Sequence, residues 1–310
     1  MNHFEINPTP ISELKYYSQV LGVNMYCKRD DLFPIAGGGN KARMLQYILF
    51  DLSQKNYDRV LTAGGPCSNF NRACALMCAQ LGVPMHLVEY TENVGEYETS
   101  LNYKLSKLSG IITTRCEKSK VVETLEKVKD SYSSLKVKTI YGGGKSLEGF
   151  YAYYDAIKEL YNQNKSIEHL FITCGTGTTL TGISAGMQEF YPKAKVHAIS
   201  IARTKEAEFP VLEDNMAVLN DYLKTSYNLD NIIFYDNFRS GGYGVYDSNI
   251  VDLIKDCASK EGLTLDPTYT GKAFYAMIAI IKSNSYLKNK NILFWNTGGI
   301  FNLLSELRLW

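Results

Sequence analysis

The chain lacks the features that mark a protein for a polyanion or a lipid surface. Lysine and arginine number 33 against 32 aspartates and glutamates in 310 residues, a formal charge of +1. No field of one sign is there to recruit nucleic acid or an anionic membrane. No run of about 18 uncharged apolar residues occurs. The start, Met1-Asn2-His3-Phe4-Glu5-Ile6-Asn7-Pro8, has no basic segment followed by an apolar stretch, so no secretory signal is expected and a cytoplasmic protein is. The cysteines are seven, an odd number spread over positions 27, 67, 74, 78, 116, 174 and 257, which excludes a disulfide framework and predicts free thiols. Cys74 and Cys78 have helical spacing, but the apolar segment from Ala73 to Ala79 offers no histidine or carboxylate beside them. They read as small buried hydrophobes, and no metal is expected. With 24 glycines and 8 prolines the chain is too poor in both for a low-complexity or collagen-like protein.

What is present is an ordinary globular composition, 45% hydrophobic and 21% charged, long enough for two domains at about 150 residues each. Apolar strands are predicted at 59–63, 84–88, 110–114 and 137–141, with helices 68–81, 99–108 and 120–130 among them. A second series follows: helix 147–162, strand 169–173, helix 178–190 and strand 195–201, then helices near 208–224, 247–261 and 271–284, and strand 291–295. Strands alternating with amphipathic helices predict an α/β fold around parallel sheets. Glycine-rich turns follow several strands, at Gly64-Gly65, Gly142-Gly143-Gly144, Gly175-Thr176-Gly177 and Gly298-Gly299. In an open α/β sheet a ligand lies where such turns converge, beyond the carboxyl ends of the strands.

Two segments carry chemistry. The first runs Leu170-Phe171-Ile172-Thr173-Cys174-Gly175-Thr176-Gly177-Thr178-Thr179-Leu180, a buried-type strand running into small residues that open a helix. Free N–H groups at a helix start and adjacent Thr hydroxyls suit an anion such as a phosphate, although Thr caps on a tight turn would read the same way. The dinucleotide fingerprint fails, because Leu180 stands where its third glycine belongs, although Arg203 could meet a phosphorylated ribose. A P-loop at Gly142 to Ser146 fails as well, since Thr139 occupies the first glycine position. The second segment is Lys28-Arg29-Asp30-Asp31 with Gly37-Gly38-Gly39-Asn40-Lys41. Lys41 falls where glycine-rich coil becomes helix, and the positive end of the helix dipole there lowers an amine pKa. An amine so tuned can form a Schiff base.

In combination these segments resemble the fold-type-II pyridoxal-phosphate enzymes of the tryptophan-synthase-β superfamily, and within them the aminocyclopropane-carboxylate deaminase and D-cysteine desulfhydrase group. The marks are Lys28 to Asp31, Gly38-Gly39-Asn40-Lys41, Ser68-Asn69 with Arg72, the Gly175–Thr179 loop, Gly242-Tyr243-Gly244, Asp266-Pro267-Thr268-Tyr269-Thr270-Gly271-Lys272 and Thr297-Gly298-Gly299. The resemblance implies two open twisted sheets with helices on both faces. A large cofactor-binding domain would comprise 1–45 and 147–310, and a small domain 46–146. It makes Lys41 the cofactor-bearing lysine, Cys174, Gly175, Thr176, Gly177, Thr178 and Thr179 the phosphate cup, and Asn69 the partner of the ring hydroxyl. Thr270 would meet the pyridine nitrogen, and Thr297 with Gly298 would close the cofactor's other side. Ser68, Tyr243 and Tyr269 would face a small amino-acid substrate, in a homodimer, with elimination to a 2-oxo acid and ammonia as the expected reaction. β-Replacement at the same site stays open, as do a dinucleotide-dependent oxidoreductase and a ligand-binding protein without turnover. The family usually has Gln and His around the Ser-Asn pair, whereas Cys67 and Phe70 stand here.

Overall fold

The computed structural model describes residues 6–52, 54–164 and 166–307. From the start the chain runs β1 (Ile11–Glu13), α1 (Lys15–Leu21), β2 (Asn24–Arg29), α2 (Asn40–Ile48), β3 (Arg59–Gly64), α3 (Asn69–Gln80), β4 (Met85–Glu89), α4 (Gly95–Thr99), α5 (Leu101–Leu108), β5 (Ile112–Arg115), α6 (Val121–Asp130) and β6 (Val137–Ile140). It continues through α7 (Leu147–Gln163), β7 (His169–Cys174), α8 (Thr178–Phe190), β8 (Lys195–Ser200), α9 (Lys205–Leu223), β9 (Ile232–Tyr235), α10 (Ser248–Glu261), α11 (Thr270–Ser283), β10 (Asn291–Asn296) and α12 (Ile300–Glu306). One sheet has the order β1-β2-β10-β7-β8-β9 and the other β5-β4-β3-β6. Every pairing is parallel except the edge pair of β1 with β2.

Strand β7, all six residues buried, shows why the larger sheet must be covered twice. Leu170 and Ile172 pack with Tyr153, Ile157 and Leu180 on the α7 and α8 side, while Phe171 packs with Phe274 and Ile254 on the α10 and α11 side. A strand with both faces apolar is stable only between two helical layers. The first of these clusters extends without a break through Met44, Leu45 and Ile48 of α2 to Val60, Phe70, Cys74 and Met77 beneath the smaller sheet. Helix α2 thus belongs to both layers, and the expected domain boundary at residue 45 falls inside it. All seven cysteines are free, with the Cys74 and Cys78 sulfurs in contact at 3.9 Å in this core. Among the described residues no helix is long and apolar enough to cross a membrane, and no group of three or more His, Cys, Asp or Glu side chains is gathered for a metal.

Sequence patterning misses β1, β2, β9, α1, α4 and α12. Strand β2 is the instructive one, because its second half, Cys27-Lys28-Arg29, carries charge into the middle of a sheet. Lys28 is buried, donating to Glu159, to Gln163 Oε1 at 2.6 Å and to Thr9 O at 2.6 Å. Asp30, also buried, takes Arg43 on both oxygens at 2.6 and 3.0 Å, and Tyr153 and Trp295 on one, at 2.7 and 2.9 Å. Burial pushes its carboxyl up, yet Arg43, Tyr153 and Lys28 together hold it below the usual range. Removing one partner of a buried pair leaves the other charge uncompensated. Asp30→Asn, which keeps one acceptor oxygen, is therefore expected to lower unfolding free energy by about 3 kcal/mol. A urea midpoint equal to wild type would show the network to be energetically idle.

Candidate active site

The loops that follow β2, β3, β6, β7, β9 and β10 and the turn before α11 carry the candidate residues. Before α2, Gly37, Gly38 and Gly39 all have positive φ (76°, 75° and 89°). A Cβ on Gly39 would lie 2.9 Å from Thr297 O, so this close approach admits no side chain. The Asn40 amide donates to the same Thr297 carbonyl at 2.9 Å, and the Asn40 side chain donates to Thr179 Oγ1 at 3.0 Å. Lys41, the second residue of α2, is thereby fixed between β10 and the start of α8. Its amine donates to Gly143 O at 2.9 Å. Burial pushes the ammonium down to about 8, with Cys174 acting weakly the other way. An amine near 8 is roughly a tenth neutral near pH 7, against well under a thousandth for a lysine at about 10.4, and the neutral form is the nucleophile.

The loop from Gly175 to Thr179 stands directly opposite. Gly177 has φ 78° and caps α8. A Cβ there would lie 2.7 Å from Glu208 Oε1, so the backbone presses on a buried carboxylate. The first-turn N–H groups of the 13-residue helix α8 begin at this turn and have no partner within the helix. Thr176 Oγ1 lies 3.3 Å from Thr178 Oγ1 and 2.8 Å from where a Gly143 Cβ would be. Cys174 is the exception in this segment. Its carbonyl accepts Ile201 N–H and its thiol points behind the loop to Glu208 Oε1 at 3.6 Å, so it closes the strand and offers no donor to the cleft. Glu208 also takes Arg203 Nη1 at 2.8 Å, which engages the arginine that could have read a phosphorylated ribose. Nothing in the sequence pointed to Glu208.

Ser68 is the N-cap of α3, its Oγ accepting from Asn71 N at 3.2 Å, an arrangement that leaves the hydroxyl hydrogen free. Asn69 follows, with Oδ1 buried and without a partner. Arg72 joins this segment to the glycine loop, donating to Ala36 O at 2.7 Å and stacking on Phe301. Phe70 is buried between Met44 and Gly144, so the histidine position of the resembling motif is here part of the apolar core. Cys67 is half-buried, and burial pushes its thiol up to about 11.

On the far side, Tyr269 Oη donates to Tyr243 Oη at 2.9 Å. The Tyr269 ring passes 3.8 Å from the position of a Gly175 Cβ. Thr270 does not present its hydroxyl as the resemblance implies. Its Oγ1 donates to Asp266 Oδ1 at 2.8 Å and accepts from Asp266 N at 2.8 Å, because the turn into α11 is closed around that carboxylate. Thr268, Tyr269 and Thr270 N–H groups also donate to Asp266. Burial pushes the Asp266 carboxyl up to about 6 against those bonds. Lys145 is exposed, unlike a P-loop lysine. Thr297 and Gly298 are buried where β10 leads toward α12.

An amine, the start of a 13-residue helix and an unpartnered amide oxygen therefore share one cleft. The model of the family described as pyridoxal-phosphate dependent enzymes matches residues 3–298. The chain belongs to that family. A Thermotoga maritima protein that bears the provisional name 1-aminocyclopropane-1-carboxylate deaminase is 31% identical, over 98% of this chain and 97% of its own length. A D-cysteine desulfhydrase of Yersinia pestis is 30% identical, over 94% of this chain and 92% of its own. A solved homologue of aminocyclopropane-carboxylate deaminase superposes with a TM-score of 0.87 at 29% identity, covering 96% of this chain and 90% of that one. As in its relatives, the enzyme's cofactor is pyridoxal phosphate. The residues present fit it: the turn at 175–177 opens a helix, a Cβ at Gly175 would meet nothing nearer than 3.8 Å, and Asn69 Oδ1 is buried without a donor.

Proposed function

We propose that the enzyme catalyses α,β-elimination on a small amino acid with a good leaving group on its β-carbon, in the manner of a D-cysteine desulfhydrase. The observation that carries this reading is that Lys41, the Gly175–Thr179 turn and the hydrogen-bonded pair Tyr243 and Tyr269 bound a single cleft. Bound at Lys41, the cofactor would supply an electrophilic carbon for the substrate amine and a sink for the electrons of the α-carbon. Asn69 would accept from the ring hydroxyl, the N–H groups of Gly175 to Thr179 would hold the phosphate, and Thr297 with Gly298 would close the other side. Ser68, with its hydroxyl hydrogen free, binds the substrate carboxylate. Lys41 returns as the base for the α-proton. Tyr243 would give its proton to the departing β-group and take the one Tyr269 donates to it, and the α-proton taken up by Lys41 balances the proton so spent. The β-group leaves with its bonding electrons, and water releases the 2-oxo acid and ammonia.

We assign the six-stranded sheet with its helices to a cofactor-binding domain and the four-stranded sheet with its helices to a smaller one, with α2 shared between them, in a cytoplasmic homodimer. Incubation with D- and L-cysteine, serine and chloroalanine is expected to release pyruvate and ammonia from at least one of them. Tyr269→Phe should reduce that rate by roughly 10²-fold, the contribution of a positioned proton donor, with the visible cofactor band unchanged. No oxo acid from any of these compounds would remove elimination and leave β-replacement as the reading.

Aminocyclopropane-carboxylate is expected to be a poor substrate, despite the name of the Thermotoga relative. The ring-opening members resemble this chain but carry Glu where Thr270 stands. A neutral hydroxyl whose oxygen already accepts Asp266 N–H cannot stabilise a protonated pyridine as a carboxylate does, and the electron sink is weaker. Production of 2-oxobutyrate from that compound at a rate matching pyruvate from cysteine would refute this.

A further inference from the structure

The tyrosine that reaches the cleft from outside stands on a loop with little of its own to hold it. Ser240, Gly241, Gly242 and Gly244 all have positive φ, at 50°, 87°, 118° and 75°. A Cβ added to Gly242 or Gly244 would meet nothing within 4 Å. Tyr243 itself is 52% exposed. Within the loop, Gly242 N–H donates to Arg239 O at 3.0 Å and Val245 N–H to Gly242 O at 3.4 Å. Glycine in such a run carries a large conformational entropy when free, and two local hydrogen bonds do not fix the direction of a tyrosine.

Lys272 supplies what the loop lacks. It is in the first turn of α11, two residues after Thr270, and is 1% exposed. Its amine donates to Gly242 O at 2.6 Å and to Arg239 O at 2.8 Å. These carbonyls bracket the stretch Ser240-Gly241 and lie immediately before Tyr243. Burial pushes this ammonium down to about 8 even with Asp266 and Asp247 drawing it up. A lysine placed only for solubility would not be buried with its head on two carbonyls. Helix α11 also begins at the turn that carries Tyr269, so one rigid helix start fixes both hydroxyls of the 2.9 Å pair, Tyr269 by its backbone and Tyr243 through Lys272.

We propose that Lys272 is a positioning residue that holds the 239–242 loop and thereby aims Tyr243 at the substrate. This rests on the reading of Tyr243 as a substrate-facing group, and the experiment separates the two. In the cofactor-free protein, Lys272→Met should raise amide hydrogen exchange at Gly242 and Val245 by about tenfold or more, with exchange in the sheets unchanged. In the holoenzyme it should lower kcat for β-elimination by about tenfold while the cofactor spectrum stays that of wild type, and Lys272→Gln, which keeps two N–H donors, should recover part of the loss. In a Tyr243→Phe background the same Lys272→Met change should cost less than about twofold, because residues acting through one another are not additive. Unchanged exchange at 242–245 in Lys272→Met overturns the clamp, and so does an equal loss in both backgrounds, which is the signature of general destabilisation. Full activity of Tyr243→Phe overturns instead the role of Tyr243. If Lys272→Met does not fold, the wild-type loop decides: exchange of Gly242 and Val245 at the rate of an unstructured peptide would show that nothing holds it.

Discussion

Lys41→Ala protein should purify without the visible absorbance of the wild type and should lose turnover by about 10³-fold or more. That estimate follows from the removal of a general base together with the covalent anchor. The geometry makes the attribution specific. Lys41 is placed by Asn40, whose amide and side chain are tied to Thr297 and Thr179, and its amine faces Gly143 across the cleft from the phosphate turn. Borohydride reduction of the wild type followed by peptide mapping should fix the label on Lys41. The buried lysines among the described residues, Lys28 and Lys272, already donate to three and two acceptors. A label on Lys272 or on the exposed Lys145 would overturn the assignment.

The pH behaviour of cofactor uptake tests the same amine independently of turnover. Burial pushes the Lys41 ammonium down to about 8. Only the neutral form attacks an aldehyde, so the rate at which cofactor-free protein captures pyridoxal phosphate should rise with pH and level off above about 8. An ordinary surface lysine would keep rising to about 10.4. A rate that is flat from pH 6 to pH 10 would mean that another step or another residue governs capture.

How much of this could be read from the sequence depends on whether a residue's partner is local. Strands β3, β4, β6, β7, β8 and β10 and the helices between them are legible because each is a run of one periodicity bounded by glycine or by a cap. Ser68, Ser146 and Asp247 accept from the amide three residues on, as their positions suggest. The cleft is legible for the same reason, since its glycines follow strand ends. Strand β2 is not, because Lys28 and Arg29 look like surface until Glu159, 131 residues away, is known to neutralise the lysine. Thr270 shows the reverse failure. The resemblance gives it a role toward the cofactor, and Asp266, four residues earlier, takes up its hydroxyl hydrogen. Glu208 and Lys272 act from behind the loops they support, and no spacing in the sequence separates a residue behind a loop from one on the surface.

Gly177→Asp should abolish cofactor retention altogether. At φ 78° the position is left-handed, which costs a residue with a Cβ about 1–2 kcal/mol. That alone would weaken the turn without emptying it. The larger effect is contact: the new Cβ would stand 2.7 Å from Glu208 Oε1 and 3.0 Å from Leu212 Cδ2, so the turn must move or the Glu208 side chain must leave its bond with Arg203. A carboxylate beside Glu208 also adds a like charge, and the N–H groups that would meet the phosphate belong to the residues that shift. Thr176→Asp provides the comparison, because Thr176 is half-buried at the cleft with an ordinary backbone conformation, and its substitution adds charge without a shift. It should weaken pyridoxal phosphate by about 1–2 kcal/mol, in the range of charge effects at helix starts, while uptake of pyridoxal, which has no phosphate, is little changed. A folded Gly177→Asp protein that retains full cofactor, together with a Thr176→Asp protein that weakens pyridoxal and its phosphate equally, would mean that the anion is held elsewhere and that the Gly175–Thr179 turn is only a helix start.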